Sequence, residues 1–96
     1  MPMNQMYDIS YSTAFHKDLK RLKKRGYDLQ LMSAVVCKLQ AGQPLDQKYK
    51  DHNLTGNWKG YRECHILPDW LLVYKIEDNR LVLVLSRTGT HSDLDF

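Results

Sequence analysis

Three histidines, one aspartate and one arginine in the second half of the chain are the residue types needed to cut RNA. Histidine titrates close to neutral pH, so one imidazole can accept a proton while a second one donates a proton. The 2′-hydroxyl of the substrate is the nucleophile in such a reaction, and a cation stabilises the charge of the phosphorane-like transition state. The candidate catalytic residues are His52, His65, Asp69, Arg87 and His91. We interpret the stretch from residue 49 to residue 91 as a site for acid–base chemistry on RNA.

Each of these residues also has an ordinary structural interpretation. A histidine taken alone is usually a surface or packing residue, and His16, on a basic helix, is left in that class. Arg87 ends an apolar strand in which Leu81, Leu83 and Leu85 share its parity, and a strand-end arginine can simply reach solvent. The spacing of the three histidines matches no compact ligand motif, so no metal site and no cofactor are predicted.

The rest of the sequence predicts one α+β domain, residues 1–96, that positions these side chains. Two segments with apolar residues at helical spacing form an antiparallel hairpin, the first capped by Ser12 or Thr13 and the second by Asp28. Residues 45–60 form an irregular connection. The predicted strands cover residues 7–11, 61–67, 70–77 and 80–87. The order is βααβββ, with the N-terminal helical hairpin packed on a small, mostly antiparallel twisted sheet.

The turns of the meander predict which side chains share a face of the sheet. Pro68-Asp69 and Asp78-Asn79 are both good two-residue turn sequences. If both turns have two residues, Trp70 lies opposite Arg87 and His65 projects from the same face, about 11 to 12 Å from the arginine. Trp70 could then stack on the guanidinium or on a base. A slip of one residue would move His65 to the other face.

The charge of the chain is concentrated in the first predicted helix. Residues 13–25 hold six basic side chains and one acidic side chain, a net charge of +5, whereas the whole chain carries +3. Such a cluster is often a solvated face, and the alternative is salt-dependent contact with an RNA backbone. No apolar run is long enough to cross a bilayer and Met1–Met6 contains no signal-peptide core, so we expect a cytoplasmic protein.

The second half of the chain resembles the RelE-like bacterial toxins, and most closely the YafQ type. The matching residues begin with Lys50-Asp51-His52, Leu54 and Gly56, and continue with Trp58-Lys59-Gly60-Tyr61-Arg62. They also include His65 with Pro68-Asp69-Trp70, and Arg87-Thr88-Gly89-Thr90-His91. The family often ends His-x-x-Leu-Phe, whereas this chain has an additional Asp95 before Phe96.

This resemblance implies the RelE-like microbial ribonuclease fold and an mRNA interferase that cleaves message in the A site of the translating ribosome. It implies adenine-rich codons as the preferred target and neutralisation by a cognate antitoxin of the DinJ or RelB kind. The family's functional residues correspond to the five catalytic candidates named above. The residues predicted to contact RNA are Lys17, Lys20, Arg21, Lys24, Lys50, Trp70 and Phe96.

Two functional hypotheses follow from the sequence. In the first, the chain is a metal-independent endoribonuclease in which His91 is the acid, Arg87 holds the phosphate, and the base is His65, Asp69 or His52. In the second, it is a non-catalytic module that binds RNA or protein and regulates its operon together with the antitoxin. The predicted partners are the cognate antitoxin, the ribosome and mRNA.

Overall fold

The computed structural model describes residues 6–95 and has the predicted α+β architecture. Two helices lie between the first strand and a C-terminal set of strands, and a short helix follows the last strand. The strands are β1 (Asp8–Tyr11), β2 (His52–Asn53), β3 (Arg62–Leu67), β4 (Trp70–Glu77) and β5 (Val82–Gly89). The helices are α1 (Thr13–Lys24), α2 (Leu29–Gln40) and α3 (His91–Leu94). Phe96, which we predict to contact RNA, lies outside the described residues.

Both helices of the hairpin begin at a predicted N-cap residue. Ser12 Oγ accepts a hydrogen bond of 2.9 Å from the backbone N–H of Phe15, and Asp28 Oδ1 accepts one of 3.1 Å from Gln30. Such caps satisfy N–H groups that have no partner inside the helix. Gly26 follows α1 with a φ of 82°, which a glycine adopts without strain and which ends the helix.

The five strands form one sheet in the order β1-β5-β4-β3-β2. β1 is parallel to β5, and all other neighbours are antiparallel. The main core lies between the helices and one face of the sheet. It contains Phe15, Leu22, Val35, Leu39, Cys64, Trp70, Leu72, Tyr74, Leu83 and Leu85, among others. A smaller apolar cluster, Leu71, Val73 and Leu94, covers the other face together with Leu54, Trp58 and Tyr61.

The predicted pairing of β4 with β5 is wrong. The first turn is as expected, since Leu67 pairs with Trp70. The second turn is wider, because Glu77 pairs with Val82 rather than with Arg80. Leu81 adopts a φ of 53° in this turn. This left-handed conformation is uncommon for leucine and could not be predicted from the sequence.

A bulge at Ser86 then reverses the side-chain alternation along β5. Tyr74 pairs with Leu85 and Val73 pairs with Arg87, so Ser86 is an extra residue on β5. Leu83 and Leu85 therefore point into the main core, whereas Arg87, two residues after Leu85, projects from the opposite face. The bulge explains why an arginine shares the parity of the core leucines.

The segment predicted to be irregular is short structured pieces joined by turns. Two 3₁₀ turns, Gln47–Tyr49 and Gly56–Trp58, flank the two-residue strand β2, which pairs with β3 at the edge of the sheet. Among the described residues, none of the helices has the length and apolarity that a membrane span requires.

Candidate active site

The three predicted histidines meet on one face of the sheet. One cross-strand row runs His52, Glu63, Val73 and Arg87 across β2, β3, β4 and β5, and the adjacent row contains His65, Leu71 and Gly89. Residues directly opposite each other project from the same face of a sheet. His65 is the central imidazole, with its ring centroid 6.4 Å from His52 and 5.7 Å from His91.

The expectation that His65 and Arg87 share a face is met, but the predicted neighbour Trp70 is not with them. His65 pairs with Leu71 rather than Leu72, and Val73 rather than Trp70 pairs with Arg87. The two pairing errors offset each other for His65 and Arg87. At about 4.8 Å between neighbouring strands, Arg87 lies about 10 Å from Glu63 along their shared row.

Trp70 is a core residue, so the predicted base-stacking role is wrong for this structure. Its side chain is 1% exposed and packs edge-on against Tyr27, with ring centroids 5.0 Å apart. The indole N–H donates to Thr88 Oγ1 at 2.9 Å, and that hydroxyl donates to the carbonyl of Leu71 at 2.8 Å. Trp70 therefore supports the site from beneath the sheet.

Each site imidazole is held through Nδ1. His52 Nδ1 lies 2.7 Å from the carbonyl oxygen of Lys50, and His65 Nδ1 lies 3.3 Å from that of Pro68. Because a carbonyl only accepts, both Nδ1 atoms carry the proton. His91 Nδ1 lies 2.6 Å from Asp69 Oδ1. The Nε2 atoms are therefore the ones that can exchange protons with a substrate.

Asp69 is a partner of His91 rather than a free base. Its Oδ1 accepts from the backbone N–H of His91 at 3.0 Å as well as from the ring. The backbone bond, followed by the ring contact, holds the pKa of Asp69 below its ordinary value. The carboxylate stays ionised and fixes the orientation and tautomer of the imidazole, as the aspartate does in a Ser-His-Asp triad.

Helix α3 presents His91 at its first position. Thr90 and Asp93 form a capping box, in which Thr90 Oγ1 accepts from the backbone N–H of Asp93, and Asp93 accepts from that of Thr90. A Cβ atom on Gly89 would lie 2.9 Å from the Cβ of Asp93, which is too close. The glycine before this turn is thus required for the approach of α3 to the sheet.

Residues flanking His52 are tied to β3 and β4 by a side-chain network. Arg62 donates to Asp51 at 2.9 Å and to Asn53 at 2.6 Å, the residues on either side of His52. The buried hydroxyl of Tyr74 donates to Asp51, and burial, followed by this hydrogen bond, raises the pKa of Tyr74. A strand of only two residues is held in place in this way.

Two acidic residues of this region were missed by the sequence interpretation. Glu63 is buried, and its Oε1 lies 3.4 Å from His52 Nε2 and 3.8 Å from His65 Nε2. It stands two residues before His65 on a predicted strand, and that period-two spacing could have placed it on the same face. Asp18, the lone acid of the basic helix, binds Arg87.

The predicted cationic contacts are exposed but do not all belong to the site. Lys17, Lys20, Arg21 and Lys24 are exposed on α1, and Arg21 lies 3.6 Å from Asp18. Lys50 is exposed beside His52 and adopts a left-handed φ of 49°. Lys50 thus belongs to the histidine site, whereas the lysines of α1 form a separate cationic surface.

The imidazoles, Asp69 and Arg87 provide a base, an acid and a cation on one open face. Two groups that each reach roughly 3 Å can contact opposite sides of one phosphodiester when their rings are this close. The side chains of His52 and His91 are each 48% exposed, whereas that of His65 is 17% exposed and its Nε2 lies beside Glu63. The geometry suits proton transfer to and from a phosphodiester held by Arg87.

This chain is similar to known proteins in both sequence and fold. A family described as the bacterial toxin of a type II toxin–antitoxin system, YafQ, matches residues 7–95. The mRNA interferase toxin YafQ of Escherichia coli (strain K12) is 44% identical over 88 residues, which is 91% of this chain and 94% of that protein.

Solved structures of two toxins are also similar to this chain in fold. The toxin in the E. coli DinJ-YafQ toxin–antitoxin complex superimposes with a TM-score of 0.84 at 43% identity, covering 93% of this chain and 97% of that one. A metal-bound toxin from Helicobacter pylori gives a TM-score of 0.88 at 52% identity, covering 93% of this chain and 99% of that one.

Proposed function

Because the chain belongs to the YafQ family of bacterial type II toxins, we propose that it is an mRNA interferase that inhibits translation. The single observation that carries this proposal is the set of three imidazoles whose rings lie within 6.4 Å of their neighbours on an open face that also bears Arg87. The E. coli relative is named as an mRNA interferase toxin. We propose a cytoplasmic protein that acts on message in the ribosomal A site.

The proposed reaction cleaves the chain by attack of the substrate's 2′-hydroxyl on the adjacent phosphorus. His65 Nε2 takes the hydroxyl proton, and Arg87 stabilises the charge on the non-bridging oxygens. His91 Nε2 donates a proton to the departing 5′-oxygen. The P–O5′ bond breaks as the P–O2′ bond forms, which leaves a 2′,3′-cyclic phosphate and a 5′-hydroxyl.

The contacts of each side chain support this division of roles. Asp69 is occupied with His91, which makes it an orienting group and leaves the base to His65 or His52. His65 lies between the other two imidazoles, so its ring is the one next to that of His91. Glu63 stabilises positive charge on whichever imidazole has gained the proton.

A metal ion is considered because two similar structures are of metal-bound toxins from Helicobacter pylori, one of them copper-bound. Among residues 6–95, no three His, Cys, Asp or Glu side chains are grouped so that they could hold such an ion. No step of the proposed reaction uses a metal.

The proposed partner is a cognate antitoxin of the DinJ kind, since the E. coli toxin is solved in complex with DinJ. An antitoxin that covers the histidine face would exclude the substrate. The alternative of a non-catalytic regulatory module makes a different prediction, namely that binding persists while message stays intact.

The test uses ribosomes programmed with a lysine codon in the A site and toxin that has been treated with a chelator and desalted. The native chain is expected to cut the message and leave a 2′,3′-cyclic phosphate. His91→Ala should lower the single-turnover rate by about 10²- to 10⁴-fold. His16→Ala is the matched control, because His16 is an exposed histidine on α1 and should leave the rate unchanged.

Intact message with the native chain would contradict the enzyme. Equal cleavage by the native chain and His91→Ala would contradict the proposed site. Activity that returns only when a transition metal is added back would contradict the metal-independent mechanism. Addition of the cognate antitoxin is expected to protect the message.

A further inference from the structure

Asp18 is a buried carboxylate whose partners include the arginine of the site. Its side chain is 2% exposed. Arg87 Nε donates to Oδ2 at 2.7 Å and Arg87 Nη2 donates to Oδ1 at 3.2 Å. The backbone N–H of Thr88 also donates to Oδ2, at 3.1 Å. The side-chain hydrogen bond to Asp18 is the largest cause of the raised pKa of Arg87.

The path of the chain explains why a helix side chain reaches this place. β1 pairs with β5 only as far as Tyr11 and Leu85, and the chain then enters α1. The outer edge of β5 beyond Leu85 therefore has no neighbouring strand among the described elements. Asp18, on the face of α1 toward β5, accepts the N–H of Thr88 that a further strand would otherwise pair.

A carboxylate this deeply buried is costly unless it is paired and hydrogen-bonded. If Asp18 only connected α1 to β5, the N–H of Thr88 and any cation would be sufficient partners for its carboxylate. The side-on geometry through Nε and Nη2 does more, because it fixes the plane of the guanidinium. Among the described residues, Asp18 is the only hydrogen-bond acceptor of Arg87, so Nη1 remains available on a side chain that is 27% exposed.

We propose that Asp18 is a positioning residue for RNA cleavage, which holds Arg87 by Nε and Nη2 so that Nη1 meets the scissile phosphate. This inference rests on the proposed function. An unrestrained arginine would lose rotamer freedom on binding the phosphate, and a pre-oriented donor avoids that cost. Asp18 also offsets the charge of Arg87, so its benefit lies in orientation and should show in the cleavage step rather than in ribosome affinity.

The first test is a double-mutant cycle on single-turnover cleavage at saturating ribosomes. Asp18→Asn keeps the size of the side chain and an acceptor for Thr88, but replaces one acceptor of the guanidinium by a donor. It is expected to lower the rate by roughly 10- to 100-fold and to change the half-saturating ribosome concentration by less than about 2-fold. In an Arg87→Ala background the same change should alter the rate by less than about 2-fold.

Equal reductions of the rate in both backgrounds would overturn the proposal, because Asp18 would then act without Arg87. An undiminished rate for Asp18→Asn would also overturn it. Asp28→Asn is the matched control: Asp28 is exposed and caps α2, so its substitution removes a charge without touching the site. All variants are compared well below their melting temperatures, and Asp18→Glu, which displaces the carboxylate, replaces Asp18→Asn if the latter does not fold.

The second test does not require cleavage. The Nε–H of Arg87 is observed by ¹⁵N NMR in the free protein, where a proton donated to a buried carboxylate should exchange slowly with water. Exchange should become at least about 10-fold faster in Asp18→Asn and stay unchanged in Asp28→Asn. Rapid exchange in the native chain would overturn the positioning role. Failure of the native chain to cut message, with slow Nε–H exchange, would instead refute the proposed function.

Discussion

The chemistry of this site depends on which atom of each side chain is held. His52, His65 and His91 all bind an acceptor through Nδ1, which leaves Nε2 of each ring as the atom for proton transfer. The candidate catalytic residues could be predicted from the sequence, because histidine, aspartate and arginine in one region suit acid–base cleavage. The hydrogen-bond acceptors of the imidazoles could not be predicted, since two of them are backbone carbonyls whose positions depend on the turns.

Asp93 should link folding stability to pH in acid. The Arg25 side chain, followed by the backbone N–H of Thr90, holds the pKa of Asp93 far below its ordinary value of 3.8. A carboxylate with a lowered pKa in the folded state contributes stability that is complete above the unfolded-state pKa and is lost as the pH falls toward the folded-state value. Asp93→Asn keeps an acceptor for Thr90 but loses the ion pair with Arg25, so it should cost about 1 kcal/mol at neutral pH, or about 4–8 °C in melting temperature.

The melting temperatures of the native chain and Asp93→Asn are compared from pH 7 to pH 2. Their difference should be constant above about pH 5 and should shrink below about pH 4. Asp95→Asn, in the same segment, serves as the control for removal of one exposed carboxylate. A difference that stays constant down to pH 2 would contradict the assigned role of the Arg25 side chain.

At the scale of elements, α1, α2 and the three C-terminal strands could be predicted from period and caps. The pairing could not, because Leu81 takes a left-handed conformation and Ser86 forms a bulge. Both features depend on tertiary packing rather than on local preference. The strand β2 was also beyond prediction, since two residues carry no periodic signal and are held by side chains of β3 and β4.

Arg62 should be required for the position of His52 but not for the fold. It binds Asp51 and Asn53 at once, and a lysine has one ammonium group that cannot reproduce both hydrogen bonds. Arg62→Lys is expected to lower the single-turnover rate by about 10-fold and to broaden or shift the ring resonances of His52. The ring resonances of His91 should remain in place.

Arg80→Lys is the matched control for that substitution. Arg80 lies in the β4–β5 turn and its guanidinium pairs with Glu77, away from the histidine rows. It should leave both the rate and the His52 resonances unchanged. Equal shifts at His52 and His91 in Arg62→Lys would indicate a general disturbance of the structure rather than a local one.

At the scale of the whole molecule, the cationic surface and the histidine face are distinct but joined. The lysines of α1 are exposed, while Asp18 and Arg25 of the same segment bind Arg87 of β5 and Asp93 of α3. These two ion pairs join the segment that carries the cationic surface to β5 and α3. The separation of charge was visible in the sequence, but the two ion pairs were not.

Lys17, Lys20 and Lys24 should govern salt-dependent binding rather than cleavage. They are spaced to lie along one side of α1 and are all exposed. Replacing all three by glutamine should lower ribosome affinity at low salt and reduce the slope of log K against log salt by about 0.7 for each phosphate that is no longer neutralised. The single-turnover rate at saturation should change by less than about 2-fold.

A charge-matched control replaces Lys38, Lys59 and Arg80 by glutamine, which removes the same charge from outside α1. Its salt slope should stay near that of the native chain. Equal slopes for the two triple variants would mean that net charge, and not the surface of α1, drives the association.

Because of the bulge at Ser86, the side of the sheet that Arg87 occupies need not change when one residue of β5 is deleted. Because Leu85 and Arg87 already pair with the consecutive residues Tyr74 and Val73, deletion of the Ser86 codon would leave a regular strand with Arg87 still on the histidine face. Deletion of the Leu85 codon would instead place a serine opposite Tyr74, in the main core. A three-nucleotide deletion therefore keeps or shifts the core register of β5 according to which of two adjacent codons it removes.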